Sequence, residues 1–316
     1  MEKGRDSQGS LRVLYVGGAG RSGSTLVGRV LGAMPGAFNA GELMFIWRRG
    51  VLENQLCGCG EGFLDCSFWT AVGQAAFGGW DVVDANAAEA LRARLERTRR
   101  IPALAVPRAA KLTRSELASY CEHITRLYSA ISDVSGAAVI VDTSKGPPHA
   151  LVLRQMPLDL RICLLVRDSR GVAYSWTRRK PRPEIQHEEA YMDTYSSVRS
   201  TVEWVGFNSM FELGRLVRVP IMRMRYEDFV NQTEGELNRI AAFARLDGVP
   251  AGLVSEGVVS LAPDHSVAGN PMRFTSGRVP LAVDDEWRRA MPASRRRLVS
   301  VLTGPWLWRY GYLRRT

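Results

Sequence analysis

Long apolar runs, internal repeats and interdomain linkers are all missing from this chain of 316 residues. Without a stretch of 18 consecutive apolar residues, the sequence contains no candidate transmembrane helix. No segment rich in proline, glycine or serine divides it, which predicts a single domain over residues 11–316. The polar tail at 1–10 is predicted to be disordered, and it does not resemble a secretion signal.

Cysteine and histidine are scarce. Five cysteines in a chain without a secretion signal indicate a reducing compartment, and we expect a cytoplasmic protein. Three of the cysteines cluster as Cys57, Cys59 and Cys66, and Cys-x-Cys pairs can ligate zinc. Because the closest histidine in sequence is His123, no fourth ligand lies nearby. The segment is therefore predicted to be a compact turn with small buried thiols and no metal.

Charge of one sign dominates the chain. A net charge of +10 and a pI near 9.7 fit a protein with anionic ligands. They fit equally well a nucleic-acid-binding protein or one that contacts an anionic membrane surface. The charge therefore indicates an anionic ligand but does not distinguish a small molecule from a nucleic acid or a membrane surface.

The most informative segment is a glycine-rich loop between an apolar strand and an apolar-periodic helix. It reads Gly17-Gly18-Ala19-Gly20-Arg21-Ser22-Gly23-Ser24-Thr25. The spacing of its glycines and of Thr25 fits a Walker loop, but Ser24 stands where the lysine should reach the β- and γ-phosphates. The loop still offers backbone N–H groups and a helix N-terminus to an anion. With Arg21 as its nearest cation, it suits a group shorter than a triphosphate, such as a 5′-phosphosulfate.

Two further apolar strands end in polar residues that we expect at the same edge of the sheet. Arg167 follows one strand directly, and Ser175 lies eight residues later, about two turns into the next helix. A guanidinium and a hydroxyl are the groups that a doubly charged phosphate needs. Lys145 follows the other strand and is predicted to face the phosphate loop.

These motifs resemble those of the sulfotransferases that use 3′-phosphoadenosine-5′-phosphosulfate (PAPS). Arg21 to Leu26 reads R-S-G-S-T-L, the form found in tyrosylprotein sulfotransferases and many bacterial small-molecule sulfotransferases. The Arg167 segment resembles the family's 3′-phosphate site, with Ser169 in place of the usual proline. The resemblance implies a P-loop NTPase-like, three-layer α/β fold with a central parallel sheet flanked by helices. It also implies PAPS as the co-substrate and no catalytic metal.

The resemblance assigns roles to individual residues. Arg21 and Lys145 would stabilise charge on the bridging oxygen as the nucleotide leaves. Glu42 lies 21 residues after Arg21, the spacing of the catalytic glutamate in tyrosylprotein sulfotransferases, and is the candidate general base. The expected cofactor contacts are Gly20, Arg21, Ser22, Gly23, Ser24, Thr25, Arg167, Ser175 and, from a late loop, Arg273.

Histidine is the base in the cytosolic branch of the superfamily, so the four histidines remain alternatives to Glu42. His149 follows Lys145 by four residues and would approach the sulfate. His187 lies in a charged loop, His123 fits helix packing or solvent, and for His265 a structural role is favoured over catalysis.

The pattern of apolar residues predicts the elements around these motifs. Strands are expected near 12–17, 138–142, 161–166 and 220–225. Helices are expected at 86–100 and 113–134. The segments 178–192 and 261–283 are interpreted as mobile loops that contact the acceptor.

The sequence thus predicts sulfuryl transfer to a hydroxyl of a small molecule, a glycan or a lipid. Nucleic acid is not an expected partner, and peripheral contact with a membrane is left open. One alternative is a P-loop kinase, which Ser24 and the lack of an acidic magnesium site disfavour. The other is a basic nucleic-acid-binding protein with a degenerate phosphate loop, whose binding would depend steeply on salt.

Overall fold

The central element is a five-stranded parallel sheet. The computed structural model describes residues 11–105, 114–185, 189–214 and 218–313. The strands lie in the order β2-β3-β1-β4-β5. They are β1 (Arg12–Gly17), β2 (Ala37–Gly41), β3 (Val139–Lys145), β4 (Asp159–Val166) and β5 (Ile221–Arg225).

Helices cover both faces of this sheet. The α-helices are α1 (Ser24–Gly32), α2 (Ser67–Phe77), α3 (Ala85–Leu95), α4 (Ile101–Ala105), α5 (Arg114–Ser135), α6 (Pro147–Leu153), α7 (Ser169–Thr177), α8 (Ser197–Gly214), α9 (Tyr226–Asn231), α10 (Thr233–Ala244), α11 (Trp287–Ala290) and α12 (Ala293–Arg309). Short 3₁₀ turns occupy Leu43–Phe45, Thr98–Arg100 and Pro271–Phe274, and Ile46–Leu52 is a π-helix. In the described part of the chain, no helix has the length and apolar character needed to cross a membrane.

Alternation along the strands divides the core into two layers. Val13 and Tyr15 of β1 point into one apolar cluster, whereas Leu14 and Val16 point into the other, and all four are buried. Successive side chains of a strand face opposite sides of a sheet, so a strand that is apolar at every position has to be covered on both faces. The arrangement is the three-layer α/β fold with a parallel sheet that the sequence predicts.

The topology brings the polar strand ends together. After β1 the chain passes through α1 to β2 on one side of the sheet, whereas after β4 it passes to β5 on the other side. Connections that diverge in this way open a crevice at the carboxyl ends of the strands. Gly17 at the end of β1 is in register with Lys145 of β3 and Leu164 of β4, so the three following loops meet there.

The four predicted strands are all present, but the prediction omits β2, which has the sequence Ala37-Phe38-Asn39-Ala40-Gly41 and no β-branched residue. The predicted helix at 86–100 ends at Leu95.

The prediction of a loop at 261–283 is also incomplete. That segment includes the end of β7 (Val258–Leu261), a 3₁₀ turn and β8 (Gly277–Pro280), and β7 pairs antiparallel with both β6 (Val254–Ser255) and β8.

Candidate active site

The phosphate loop depends on glycines that leave room for large neighbours. Gly23, the N-cap of α1, has a φ of 91°, and a Cβ atom there would collide with the ring of Tyr226. A Cβ atom on Gly20 would lie 2.7 Å from the indole of Trp176. No side chain caps α1, so its first turn presents backbone N–H groups to the loop. The loop is therefore a preformed anion cradle.

Arg21 occupies the centre of this cradle. It has a φ of 65°, and its guanidinium lies 4.7 Å from the ring centroid of Trp176. One guanidinium nitrogen donates to the sulfur of Met192 at 3.0 Å. Nε and Nη2 of Arg21 and Oγ of Ser22 are buried without a hydrogen-bond partner among the described residues. Buried donors rarely stay unpaired, so these atoms mark a place for an anion.

Arg167 lies beside the same loop. Its Nη1 donates to the carbonyl of Arg21 at 3.0 Å, and its Nη2 donates to Oδ2 of Asp284 at 3.0 Å. The guanidinium also lies over the ring of Tyr226, with 5.1 Å to the centroid. Ser175, from the following helix, is buried. Asp284 is 43% exposed, so one of the two partners of this guanidinium lies at the surface.

Lys180 is joined to the Arg21 region through Met192, whose N–H donates to the carbonyl of Lys180 at 2.8 Å and whose sulfur contacts Arg21. Burial lowers the pKa of its ammonium group, and the charges of Arg21 and Arg167 lower it further. A lysine whose pKa responds to both arginines lies within their electrostatic reach. The sequence feature that could have indicated Lys180 is the basic run Arg178-Arg179-Lys180 after α7. Such a run more often marks a solvated surface.

Glu42 and Lys145 form an ion pair at the opposite side of the loop. Glu42 is 7% exposed, and its backbone N–H donates to the carbonyl of Val267 at 2.7 Å. Lys145 has a φ of 70° and also donates to the carbonyl of Thr143 at 3.2 Å. Gly269 lies between Glu42 and the first turn of α1, because a Cβ atom there would be 3.5 Å from both Glu42 Oε1 and Thr25 Oγ1. The predicted base, the predicted lysine and the phosphate loop thus share one site.

The end of β3 is fixed by a buried charged network. His149 lies between two carboxylates, with Nδ1 at 2.6 Å from Glu96 and Nε2 at 3.4 Å from Asp142. Burial opposes a charge on this imidazole, but the two carboxylates outweigh it and raise the pKa of His149 to about 10. Asp142 also accepts hydrogen bonds from Ser144 and Tyr128. His149 is therefore an imidazolium at neutral pH, which cannot accept a proton from an acceptor.

Of the other three histidines, two have partners other than Glu42, and the third lies outside the described residues. His123 pairs with the carbonyl of Ser119 on its own helix, at 2.8 Å. His187 lies outside the described residues. The ring of His265 approaches the cysteine segment, with Nδ1 at 3.2 Å from Cys66 Sγ.

Arg273 is directed at main-chain oxygens. Its Nη1 donates to the carbonyl of Ser266 at 2.9 Å and its Nη2 to that of Leu56 at 2.7 Å. The side chain is 1% exposed. These hydrogen bonds join the late loop to the cysteine segment.

Fold and loop together define a P-loop-like, nucleotide-binding α/β protein. The model of the sulfotransferase family matches residues 14–250, well over half of the chain. The sulfotransferase domain from the curacin biosynthetic pathway has a similar structure, with a TM-score of 0.51 and 17% identity over 94% of this chain and 99% of that domain. No curated protein sequence matches the chain significantly. The chain belongs to the sulfotransferase family and is a PAPS-dependent sulfotransferase.

The His149 network predicts a pH-dependent contribution to stability. The folded-state pKa of about 10 lies above the ordinary 6.5, so the contribution is complete below pH 6.5 and is lost as the pH rises toward 10. Replacing His149 with Gln removes the positive charge between two buried carboxylates, which keep only weaker partners such as Tyr120 on Glu96 and Tyr128 on Asp142. We expect a loss of roughly 3–5 kcal/mol in the free energy of unfolding. Urea unfolding of wild type and variant at several pH values measures this.

The matched control is His123→Gln, which removes a half-buried histidine with no carboxylate partner among its described contacts. The stability difference between wild type and His149→Gln should shrink as the pH rises. A difference that stays constant from neutral to alkaline pH would contradict the imidazolium assignment.

Proposed function

We propose that this enzyme moves the sulfuryl group of PAPS to a hydroxyl of a small molecule, a glycan or a lipid. The observation that carries the proposal is the set of buried donors on Arg21 and Ser22, inside the phosphate loop, that find no partner among the residues the structure describes. Leaving such donors unpaired costs about 1–3 kcal/mol each. An anionic group bound in the loop would pair with them through charge-assisted hydrogen bonds.

The nucleotide is proposed to lie across the crevice between β1 and β4. The amides from Gly20 to Thr25 and the guanidinium of Arg21 would hold the 5′-phosphosulfate. Arg167 and Ser175 would hold the 3′-phosphate, and Asp284 would leave Arg167 when the phosphate binds. This division of roles is supported by the position of Arg167 directly beside the loop, hydrogen-bonded to the carbonyl of Arg21.

Two more cations complete the proposed nucleotide site in different ways. Lys180 would add to the positive potential that attracts a polyanion, since Arg21 and Arg167 both act on its pKa. Arg273 would act through the late loop: its two hydrogen bonds hold the segment that contacts Glu42.

The chemical step is an in-line displacement at sulfur. Glu42 takes the proton of the acceptor hydroxyl, whose oxygen forms a bond to sulfur as the bond from sulfur to the 5′-phosphate oxygen breaks. Lys145 and Arg21 stabilise the negative charge that develops on that leaving oxygen. In the structure Lys145 is paired with Glu42. Binding of PAPS gives the ammonium group a second anionic partner and releases the carboxylate for the acceptor.

Replacing Arg167 with Ala should weaken binding of 3′-phosphoadenosine 5′-phosphate by about tenfold to hundredfold, because a hydrogen bond to a charged group contributes roughly 1.5–3 kcal/mol. The measurement is thermal unfolding with and without this nucleotide. At a hundredfold excess over the dissociation constant, the ligand should stabilise the wild type by about 2.7 kcal/mol, and tenfold weaker binding reduces this to about 1.4 kcal/mol.

The matched control is Arg295→Ala, which removes an exposed arginine and should keep the full stabilisation. ADP with magnesium serves as the comparison ligand. A shift with ADP and magnesium alone, or none with the 3′-phosphorylated nucleotide, would refute the proposed nucleotide site.

Replacing Glu42 with Gln should lower the rate of sulfate transfer by about 10²–10⁴-fold, the range that general-base catalysis contributes. Stabilisation by the 3′-phosphorylated nucleotide should persist, because the amide keeps the shape of the side chain. Transfer of radiolabelled sulfate from PAPS to a panel of phenols, sugars and lipid headgroups identifies an acceptor and then gives the rate. Glu234→Gln, at an exposed position of α10, is the control, and an unchanged rate in Glu42→Gln would remove Glu42 from the mechanism.

A further inference from the structure

In the fold, His265 from a distant part of the chain joins the three cysteines Cys57, Cys59 and Cys66. Cys57, Cys59, Cys66 and His265 place one ligand atom each within 4.8 Å of one another. His265 lies 199 residues after Cys66. The sequence offered no nearby histidine, so this juxtaposition exists only in the fold.

We propose that these four residues form a structural zinc site. Tetrahedral zinc with bonds of about 2.3 Å to sulfur and about 2.0 Å to nitrogen separates its ligands by about 3.8 Å for two sulfurs and about 3.5 Å for sulfur and nitrogen. The structure has 3.7 Å between Cys59 Sγ and Cys66 Sγ. From His265 Nδ1 the sulfurs of Cys57 and Cys66 lie at 3.8 Å and 3.2 Å. Three thiolates with one imidazole are a common donor set of closed zinc sites.

A disulfide does not account for this geometry. The separation of 3.7 Å between Cys59 and Cys66 is far longer than an S–S bond of about 2.05 Å. All five cysteines of the chain are free thiols. Simple burial of thiols does not account for it either, since that would not require a histidine nitrogen aimed at two sulfurs.

The backbone around the cluster is shaped to bring the two segments together. Gly58 donates its N–H to the carbonyl of Ser266 at 3.0 Å, and a Cβ atom on Gly58 would lie 2.8 Å from Ser266 Oγ and collide with Asp264. Gly60 has a φ of 94°, which lets the chain turn back toward Cys66. The hairpin that carries the cysteines therefore fits closely against the loop that carries His265.

A buried cation matches the charge of such a site. Zinc with three thiolates carries a net charge of minus one. Arg273 is 1% exposed, and its hydrogen bonds go to the carbonyls of Leu56 and Ser266, next to Cys57 and His265. Among the described residues Arg273 forms no ion pair within 4.0 Å. Three carboxylates act on its pKa from farther away, those of Glu184, Glu42 and Asp264. An anionic metal cluster next to Cys57 would add to this negative charge.

Zinc at this position would hold the wall of the active site. The loop that begins at His265 reaches Glu42 two residues later, where Val267 accepts the hydrogen bond from the Glu42 backbone. It then reaches α1, where the N–H of Asn270 donates to Thr25 Oγ1 at 3.3 Å. The metal would fix this loop from outside the phosphate cradle, without touching substrate.

The test is the metal content of the full-length protein, measured by inductively coupled plasma mass spectrometry after purification without chelator. We expect about one zinc per chain in the wild type and less than about a tenth in Cys66→Ser or His265→Ala. Cys121→Ser, which removes a free thiol of α5 outside the cluster, is the matched control and should keep its zinc. His265→Cys should also keep zinc, because four cysteines form an equally common structural site.

A second measurement does not depend on whether a variant folds. Cobalt added to the reduced, metal-stripped wild type should give the intense visible absorption of a tetrahedral thiolate complex, and zinc should abolish it. Wild-type protein without stoichiometric zinc and without this cobalt spectrum would overturn the proposal. Neither measurement involves PAPS, so its outcome is independent of the proposed sulfuryl transfer.

Discussion

Positive charge gathered at the carboxyl ends of the central strands is the constraint around which this molecule is organised. Nε and Nη2 of Arg21 are buried inside the phosphate loop without a hydrogen-bond partner in the described part of the chain, and burial lowers the pKa of this arginine. Arg167 and Lys180 add charge to the same crevice. Folding a chain with such a cluster costs free energy, which the apolar layers on both faces of the sheet offset. The folded protein keeps donors without hydrogen-bond partners among the described residues, and a bound anion of the right shape would accept hydrogen bonds from them.

The position of Lys145 at the end of β3 depends on a second set of charges, the buried pair of Asp142 and His149. Lys145 has a left-handed backbone conformation, which is unfavourable for a side chain other than glycine or asparagine. The preceding strand end is fixed because Asp142 receives hydrogen bonds from Ser144 and Tyr128 and faces the imidazolium of His149. The buried network of Glu96, His149 and Asp142 therefore fixes the strand end from which Lys145, a catalytic residue of the proposed mechanism, extends.

Local patterns were sufficient to predict four of the five strands of the sheet and to bring the candidate residues Arg21, Lys145 and Arg167 to one edge of it. Each of the motifs at Arg21, Lys145 and Arg167 follows directly on an apolar strand, so the sequence neighbourhood alone placed them at one edge. The strand β2 was missed because its residues have little β-propensity, and pairing with β3 overrides that preference. His265 meets Cys57 and Cys66 through a contact between segments about 200 residues apart, and no period or spacing in a single sequence encodes such a contact.

The glycines of the phosphate loop carry a consequence for the evolution of this family. Gly20 is opposed by Trp176, and Gly23 by Tyr226, across gaps that admit no Cβ atom. Each glycine is thus paired with an aromatic residue more than 150 positions away in the chain. A homologue with a side chain at either loop position would need a smaller aromatic partner or a shifted one. We therefore expect the residue at position 20 to covary in size with that at position 176, and the residue at position 23 with that at position 226, among relatives.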